Sequence, residues 1–205
     1  KKAVIGRRWQ RGETLISAIG QGYVLTTPLQ LAVMMARVIN GGRAITPKIQ
    51  RKPPSGAGDE EIVSVDSPSI GYSAEALKLV ATALDSVVNN PRGTAYKSRI
   101  RTPSMAMGGK TGTAQVRRIS VAERKSGILK NNQLKWRERD HALFVGFAPV
   151  NDPRYAISVV VEHGGGGSSK AAPIAKDILV TAQKLGSSRN TPPSRVAQAP
   201  NAERD

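Results

Sequence analysis

No cysteine occurs in the 205 residues, which excludes a disulfide-stapled scaffold but selects no compartment, since cytosol and periplasm both tolerate its absence. Aromatic residues make up only 4%, so any core must be built mainly from Ala, Val, Ile and Leu. Acidic residues are also scarce, with 15 Asp and Glu against 31 Lys and Arg. Long apolar runs are missing as well. The best, from Ala156 to Val161, is strand-sized and far short of the roughly 18 residues that a membrane span needs. The chain has no initiating Met and no signal-peptide pattern, and it opens inside a basic stretch from Lys1 to Trp9. It reads as a piece of a longer polypeptide, with any anchor or export signal upstream.

What is present makes a folded domain. With 39% apolar residues the chain can build a core, and its length suits one domain or a large part of one. Gly and Pro together number 33 (20 and 13), ordinary for a globular chain and far from a collagenous one. The formal charge of +16 predicts attraction to polyanions without choosing among nucleic acid, anionic lipid and cell-wall polymer. Residues 117–139 concentrate it, with eight Lys or Arg against Glu123 and Glu138, a net +6. This segment reads as a solvated basic loop.

Local signals divide the chain. Thr27 before Pro28 predicts a helix start, the apolar positions Leu29, Leu31, Ala32, Met35, Ala36, Val38 and Ile39 follow at helical spacing, and Gly41-Gly42 ends the run. Residues 52–58 read as an exposed loop and 62–65 as a short edge strand. A second helix is expected from Ser73 to Asn90, with Glu75 in its first turn and Leu77, Val80, Ala81, Leu84, Val87 and Val88 inward. Residues 105–116 read as a strand interrupted by glycines. The runs 142–148 and 155–161, separated by a turn containing Asn151-Asp152-Pro153, predict an antiparallel hairpin. After four glycines at 164–167 comes a last helix over 171–185, with Ile174, Ile178, Leu179 and Ala182 on one face. Residues 186–205 have little to bury and read as a disordered tail. The fold class is α+β, with helices covering an antiparallel sheet.

Gly109-Lys110-Thr111 is not a phosphate-binding P-loop, because Ser104 stands where that pattern needs its first glycine and no buried strand precedes it. The Lys110-Thr111-Gly112 triplet instead matches the element that serine acyl-enzymes carry on the strand lining their active site. Alone the triplet would fit a Gly-rich turn with a surface lysine. Its neighbours add weight: Ile19-Gly20-Gln21-Gly22-Tyr23 leading into Thr27-Pro28-Leu29-Gln30-Leu31-Ala32, Gly109 to Gln115, Asp140 to Pro149, and Glu162-His163-Gly164-Gly165. In that order these phrases resemble the class B penicillin-binding proteins, in particular those of the rod-shape elongation machinery, over residues 1–185.

The chemistry of those residues can be argued separately. Lys110 offers a fixed positive charge beside an anionic substrate. Thr111 and Thr113 alternate along a strand, so their hydroxyls lie on one side and can share a carboxylate. Gly112 removes a side chain that would block a peptide laid along the strand edge, which permits pairing by strand addition. The resemblance implies a C-terminal portion of a serine β-lactamase or penicillin-binding transpeptidase fold. It further implies Lys110 and Thr113 in catalysis, with the Thr113 amide as one oxyanion donor, and Thr111, Gly112 and Thr113 in substrate binding. Peptidoglycan stem peptides, β-lactams and elongation-complex membrane proteins are the implied partners, at the periplasmic face of the bacterial inner membrane. Neither cofactor, metal nor nucleic acid is implied.

The family's nucleophile motif, Ser-x-x-Lys, is absent. Ser126 comes nearest, with Lys130 one position out of register. The sole Ser-x-Asn, at Ser188, follows the Lys-Thr-Gly element instead of preceding it. The chain therefore holds one wall of an active site and by itself is expected to be inactive. His141 and His163 lack metal-ligand spacing and read as hydrogen-bonded turn residues; Asp140-His141 as a catalytic dyad is the rival reading. The glycines at 164–167 read as a flexible turn near the cleft rim, with an anion-binding nest as the rival. Trp9 and Trp136 read as packing residues. Two other functions are compatible with these residues: a non-catalytic interaction module derived from the same fold, and a basic nucleic-acid binder.

Overall fold

The computed structural model describes residues 6, 8–22, 24–47, 68–117 and 119–187. The loop at 52–58, the edge strand at 62–65 and residues 188–205 of the expected tail lie outside the described residues, while residues 186 and 187, expected to open that tail, end the last helix. Helix α1 spans Arg11–Ala18, α2 Pro28–Ile39 and α3 Ala74–Asn89. Strand β1 follows at Gly108–Ala114, then a short helix α4 at Val121–Ser126, strands β2 (His141–Ala148) and β3 (Tyr155–Val161), and helix α5 at Ala172–Ser187. Among the described residues no helix is long and apolar enough to cross a membrane.

Capping chemistry explains where the helices begin. The Thr27 hydroxyl accepts from the Gln30 N–H at 3.2 Å, and the Gln30 side chain accepts from the Thr27 N–H at 2.8 Å. This reciprocal box satisfies two otherwise orphaned donors ahead of Pro28. Gly41 and Gly42 take φ of 82° and 83°, and the Gly42 N–H closes back on the Arg37 carbonyl. Ser73 caps α3 by accepting from the Ala76 N–H at 3.2 Å. Glu75 in the next turn is held below the ordinary carboxylate range, chiefly by a backbone N–H and then by the Ser73 hydroxyl.

The three strands form one antiparallel sheet in the order β1-β2-β3, with Gly112 opposite Leu143 and Phe144 opposite Val159. The expected hairpin is therefore present. Its turn carries an Arg154–Asp152 pair at 2.8 Å and a cis Ala148–Pro149 bond. Side chains alternate between two faces. On one face Val145 and Phe147 pack with Met35 of α2 and Leu84 of α3. On the other, Ala142, Phe144 and Ala148 pack with Ala172, Ala175 and Leu179 of α5 and with Val88, Ile100 and Met107. Helix α3 straddles the β1 end of the sheet and contributes to both clusters. This is the α+β layering expected from the sequence.

Several local expectations change. The strand expected over 105–116 is shorter: Pro103–Met105 is a 3-10 turn and pairing begins at Gly108. In α5, Ile174 and Ile178 are 42% and 50% exposed, whereas Ala172, Ala175, Leu179 and Gln183 are buried. Small residues let this helix approach the sheet closely, so the alanine stripe faces inward and two isoleucines face out. Val80 of α3 is likewise exposed, while Leu77, Leu84 and Val88 are buried. Trp9 and Trp136 are about half exposed and neither joins the core. Trp9 donates its indole N–H to Thr14, and Trp136 lies against the His163 ring.

Candidate active-site strand

Among the described residues β1 sits at one edge of the sheet, paired on its β2 side. Its first two glycines, Gly108 and Gly109, are there for packing. A Cβ on Gly109 would strike the Phe144 ring and the Val145 carbonyl oxygen, and one on Gly108 the Phe147 ring. β1 can therefore lie tightly on β2, with its first two residues buried and Lys110 and Thr113 exposed. At the chain end that feeds it, the Asn89 side chain donates to the Met107 carbonyl at 3.0 Å and to Asp85 at 2.6 Å. That ties α3 to the start of the strand.

The open edge has a defined polarity. The Thr113 carbonyl accepts from the Gln21 side-chain amide at 3.0 Å, and the Thr111 carbonyl accepts from the Lys110 ammonium at 2.6 Å. Neither carbonyl points at β2. In an antiparallel strand a residue's N–H and C=O face the same way, so the Thr111 and Thr113 amides also point to the open edge. That is the geometry strand addition requires, and it turns the Thr113 N–H outward. The edge borders a groove of about 740 Å³, walled by Ile19, Met34, Val38 and Val80 opposite Lys110 and Gly112. The four expected residues, Lys110, Thr111, Gly112 and Thr113, thus lie together along it. The register places Lys110 on the α2 face of the sheet, and Thr111 and Thr113 on the other.

The edge also has a tight backing. The loop after β3 passes behind Gly112, where a Cβ on Gly167 would overlap the carbonyl oxygens of Leu143 and Gly112. Gly167 is buried, and the chain turns from it through a single π-helical turn, Gly167–Ala171, into α5. Gly167 is a close-packed spacer. The flexible turn expected at this point is replaced because backbone must lie directly on backbone here.

The histidines form a different structure. His141 Nδ1 accepts the backbone N–H of His163 at 2.9 Å, and His163 Nδ1 donates to the Arg139 carbonyl at 3.0 Å. The two rings meet edge-on at 4.7 Å, and His163 holds φ at 53°. The Asp140 carboxylate accepts from Asn131, whose own carbonyl oxygen takes the Asp140 N–H. An Asp140-His141 dyad is therefore not formed, and the pair locks the β2 start to the β3 end. In the basic segment, Arg117 grips Glu123 through both guanidinium nitrogens, which lowers the Glu123 pKa and raises that of Arg117. The segment is not wholly loop, since it contains α4 and 3-10 turns at Asn131–Gln133 and Trp136–Glu138.

Two contacts at the edge were not anticipated from sequence. Gln21 stands in a phrase that carried the resemblance but had been given no role. Thr94, whose hydroxyl lies 3.1 Å from that of Thr111, gave no signal at all. Sequence separations of 92 and 17 residues put both contacts beyond local pattern reading.

A family model described as the penicillin binding protein transpeptidase domain matches residues 2–180. The chain belongs to this family. Among curated relatives, it is 33% identical over 188 residues to the peptidoglycan D,D-transpeptidase MrdA of Salmonella typhimurium, covering 87% of this chain and 28% of that protein. It is 35% identical over 182 residues to the MrdA of Acinetobacter baumannii, covering 86% and 26%. Among solved structures, it is similar to PBP2 of Pseudomonas aeruginosa in complex with WCK 5153 (TM-score 0.65, 37% identity, 90% of this chain and 35% of that one). It is also similar to the PBP2 of Helicobacter pylori in its complex with MreC (TM-score 0.69, 31% identity, 91% and 30%). The chain thus spans little more than a quarter of the curated relatives it matches.

Proposed function

We propose that this chain is the substrate-strand portion of a peptidoglycan D,D-transpeptidase of the elongation type. The observation that carries this reading is the exposed edge at Lys110–Thr113, with the Thr113 amide turned outward beside a groove. In this reading a serine from another part of the full polypeptide attacks the D-alanyl carbonyl of a stem peptide. The terminal D-alanine leaves and an acyl-serine ester remains. The amine of a second stem peptide then displaces the serine to form the cross-link. The Thr113 N–H stabilises the oxyanion in both steps, while Thr111 and Thr113 hold the terminal carboxylate and Gly112 keeps the edge clear. Lys110 supplies positive charge at the serine and the carboxylate. β-Lactams acylate the same serine.

The reading carries its location and partners with it: the periplasmic face of the bacterial inner membrane, in a complex with elongation membrane proteins. Residues 1–185 are the C-terminal portion of the transpeptidase domain and 186–205 its tail. The test is covalent labelling by fluorescent penicillin. The full-length polypeptide should label, Lys110→Ala should reduce its acylation rate by about a hundredfold or more, and the isolated chain should take no label. Label on the isolated chain, or an unchanged rate in Lys110→Ala, would refute the assignment.

A further inference from the structure

The Thr111 hydroxyl has a partner that the transpeptidase reading leaves without a task. Thr94 Oγ1 lies 3.1 Å from Thr111 Oγ1, and either oxygen could be the donor. Chemistry decides the direction once an anion is bound. Each hydroxyl has one proton and two lone pairs, whereas a carboxylate only accepts. A Thr111 that serves a carboxylate must spend its proton there, which leaves its lone pairs for the Thr94 proton. Donation into the Thr111 oxygen also polarises its O–H and strengthens the bond it makes to the anion.

The backbone holds Thr94 in place for this. A Cβ on Gly93 would collide with the carbonyl oxygens of Val87 and Ser86, so the chain lies flat across the last turn of α3. The Gly93 N–H donates to the Asn90 carbonyl at 2.8 Å, and the Ala95 N–H donates to the Val87 carbonyl at 3.0 Å. Ala95 is buried, while Thr94 between these two anchors is exposed. The same helix end is fastened to Met107 by Asn89. The spacing between Thr94 and Thr111 is therefore set by packed elements.

We propose that Thr94 is a positioning residue for the substrate carboxylate: its hydroxyl donates to the Thr111 oxygen and turns the Thr111 O–H outward to the anion. This role rests on the transpeptidase reading. Discrimination follows from it. Ligands that carry a carboxylate gain more from Thr94 than neutral esters, whose carbonyl is the weaker acceptor.

The test measures acylation of the full-length polypeptide by a penicillin and by its methyl ester, in wild type, Thr94→Val, Thr94→Ser, Thr111→Val and the Val/Val double variant. Thr94→Val should lower the second-order acylation constant for the acid about five- to tenfold, through weaker initial binding, and that for the ester by less than about twofold. Thr94→Ser should restore the acid. Adding Thr94→Val to Thr111→Val should change nothing further, because the relay is already cut. Equal losses for acid and ester would assign Thr94 to structure alone, and additive losses in the double variant would make it independent of Thr111; either overturns the role. A labelled wild type with an indifferent Thr94→Val overturns the Thr94 role alone. A wild type that takes no penicillin overturns the transpeptidase reading and this role together.

Discussion

Gly167 lies against the backbone of Gly112 from the side of the sheet opposite the groove. No side chain separates the loop that leads into α5 from the strand that carries Lys110 and Thr113. The position of the β1 edge is therefore set from behind by one glycine, and the groove side is left clear by another.

Replacing Gly167 by alanine must push apart two backbones that already touch. The expected cost is that of overpacking, about 1–3 kcal/mol of stability, with a slower penicillin acylation because β1 is displaced. Thermal unfolding and acylation of the full-length variant check both. Wild-type behaviour in both would show that the close approach is dispensable.

Gly112→Ala should behave in the opposite way. Its Cβ would meet only the Leu143 Cβ, at 3.3 Å, and would project to the α2 side, where the groove lies. Stability should change by less than about 1 kcal/mol. Under the proposed function acylation should fall at least about tenfold, because the methyl group would stand in the path of a peptide laid along the edge. A variant that unfolds but acylates normally when folded would reverse this assignment.

The parts of this architecture that were legible in the sequence are those decided locally. Thr27-Pro28 and Ser73 start helices because their hydroxyls reach backbone donors within one turn. The β2–β3 hairpin shows in two β-branched or apolar runs around a short turn. That Lys110 to Thr113 lie along one strand was legible because they are consecutive in an extended, Gly-punctuated run. The rest depends on tertiary contact. Helix α1 buries no residue and so left no apolar stripe to read. The inward face of α5 was misjudged because close approach to Phe144 favours Ala172 and Ala175 over the bulkier Ile174 and Ile178. Gly167 and Thr94 have meaning only against Gly112 and Thr111, which neighbour them in space and not in sequence.

Gln21 ties the segment after α1 to strand β1. Its amide holds the Thr113 carbonyl across 92 residues, and the Gln21 N–H closes on the Ile16 carbonyl at 3.0 Å. Gln21→Ala should speed amide hydrogen exchange over residues 19–22 about fivefold, the equivalent of one ordinary hydrogen bond. Unchanged exchange would show that the Gln21–Thr113 bond does not order this segment.

The Arg117–Glu123 pair makes part of the basic segment sensitive to acid. Glu123 is held below its ordinary value of 4.5, first by the hydrogen bonds from Arg117, with a smaller contribution from the Leu129 N–H. A carboxylate whose folded pKa is depressed stabilises the fold above its unfolded pKa and loses that contribution as pH falls through the folded one. The pair's contribution to order over residues 119–129 should therefore be full at neutral pH, begin to decline below pH 4.5, and be lost once Glu123 is protonated in the folded chain. Carboxyl NMR titration should place the Glu123 midpoint below that of an exposed glutamate. Arg117→Met should move the midpoint back up, since the neutral side chain keeps the length and loses both donors. A midpoint that does not move on this substitution would remove Arg117 as the cause.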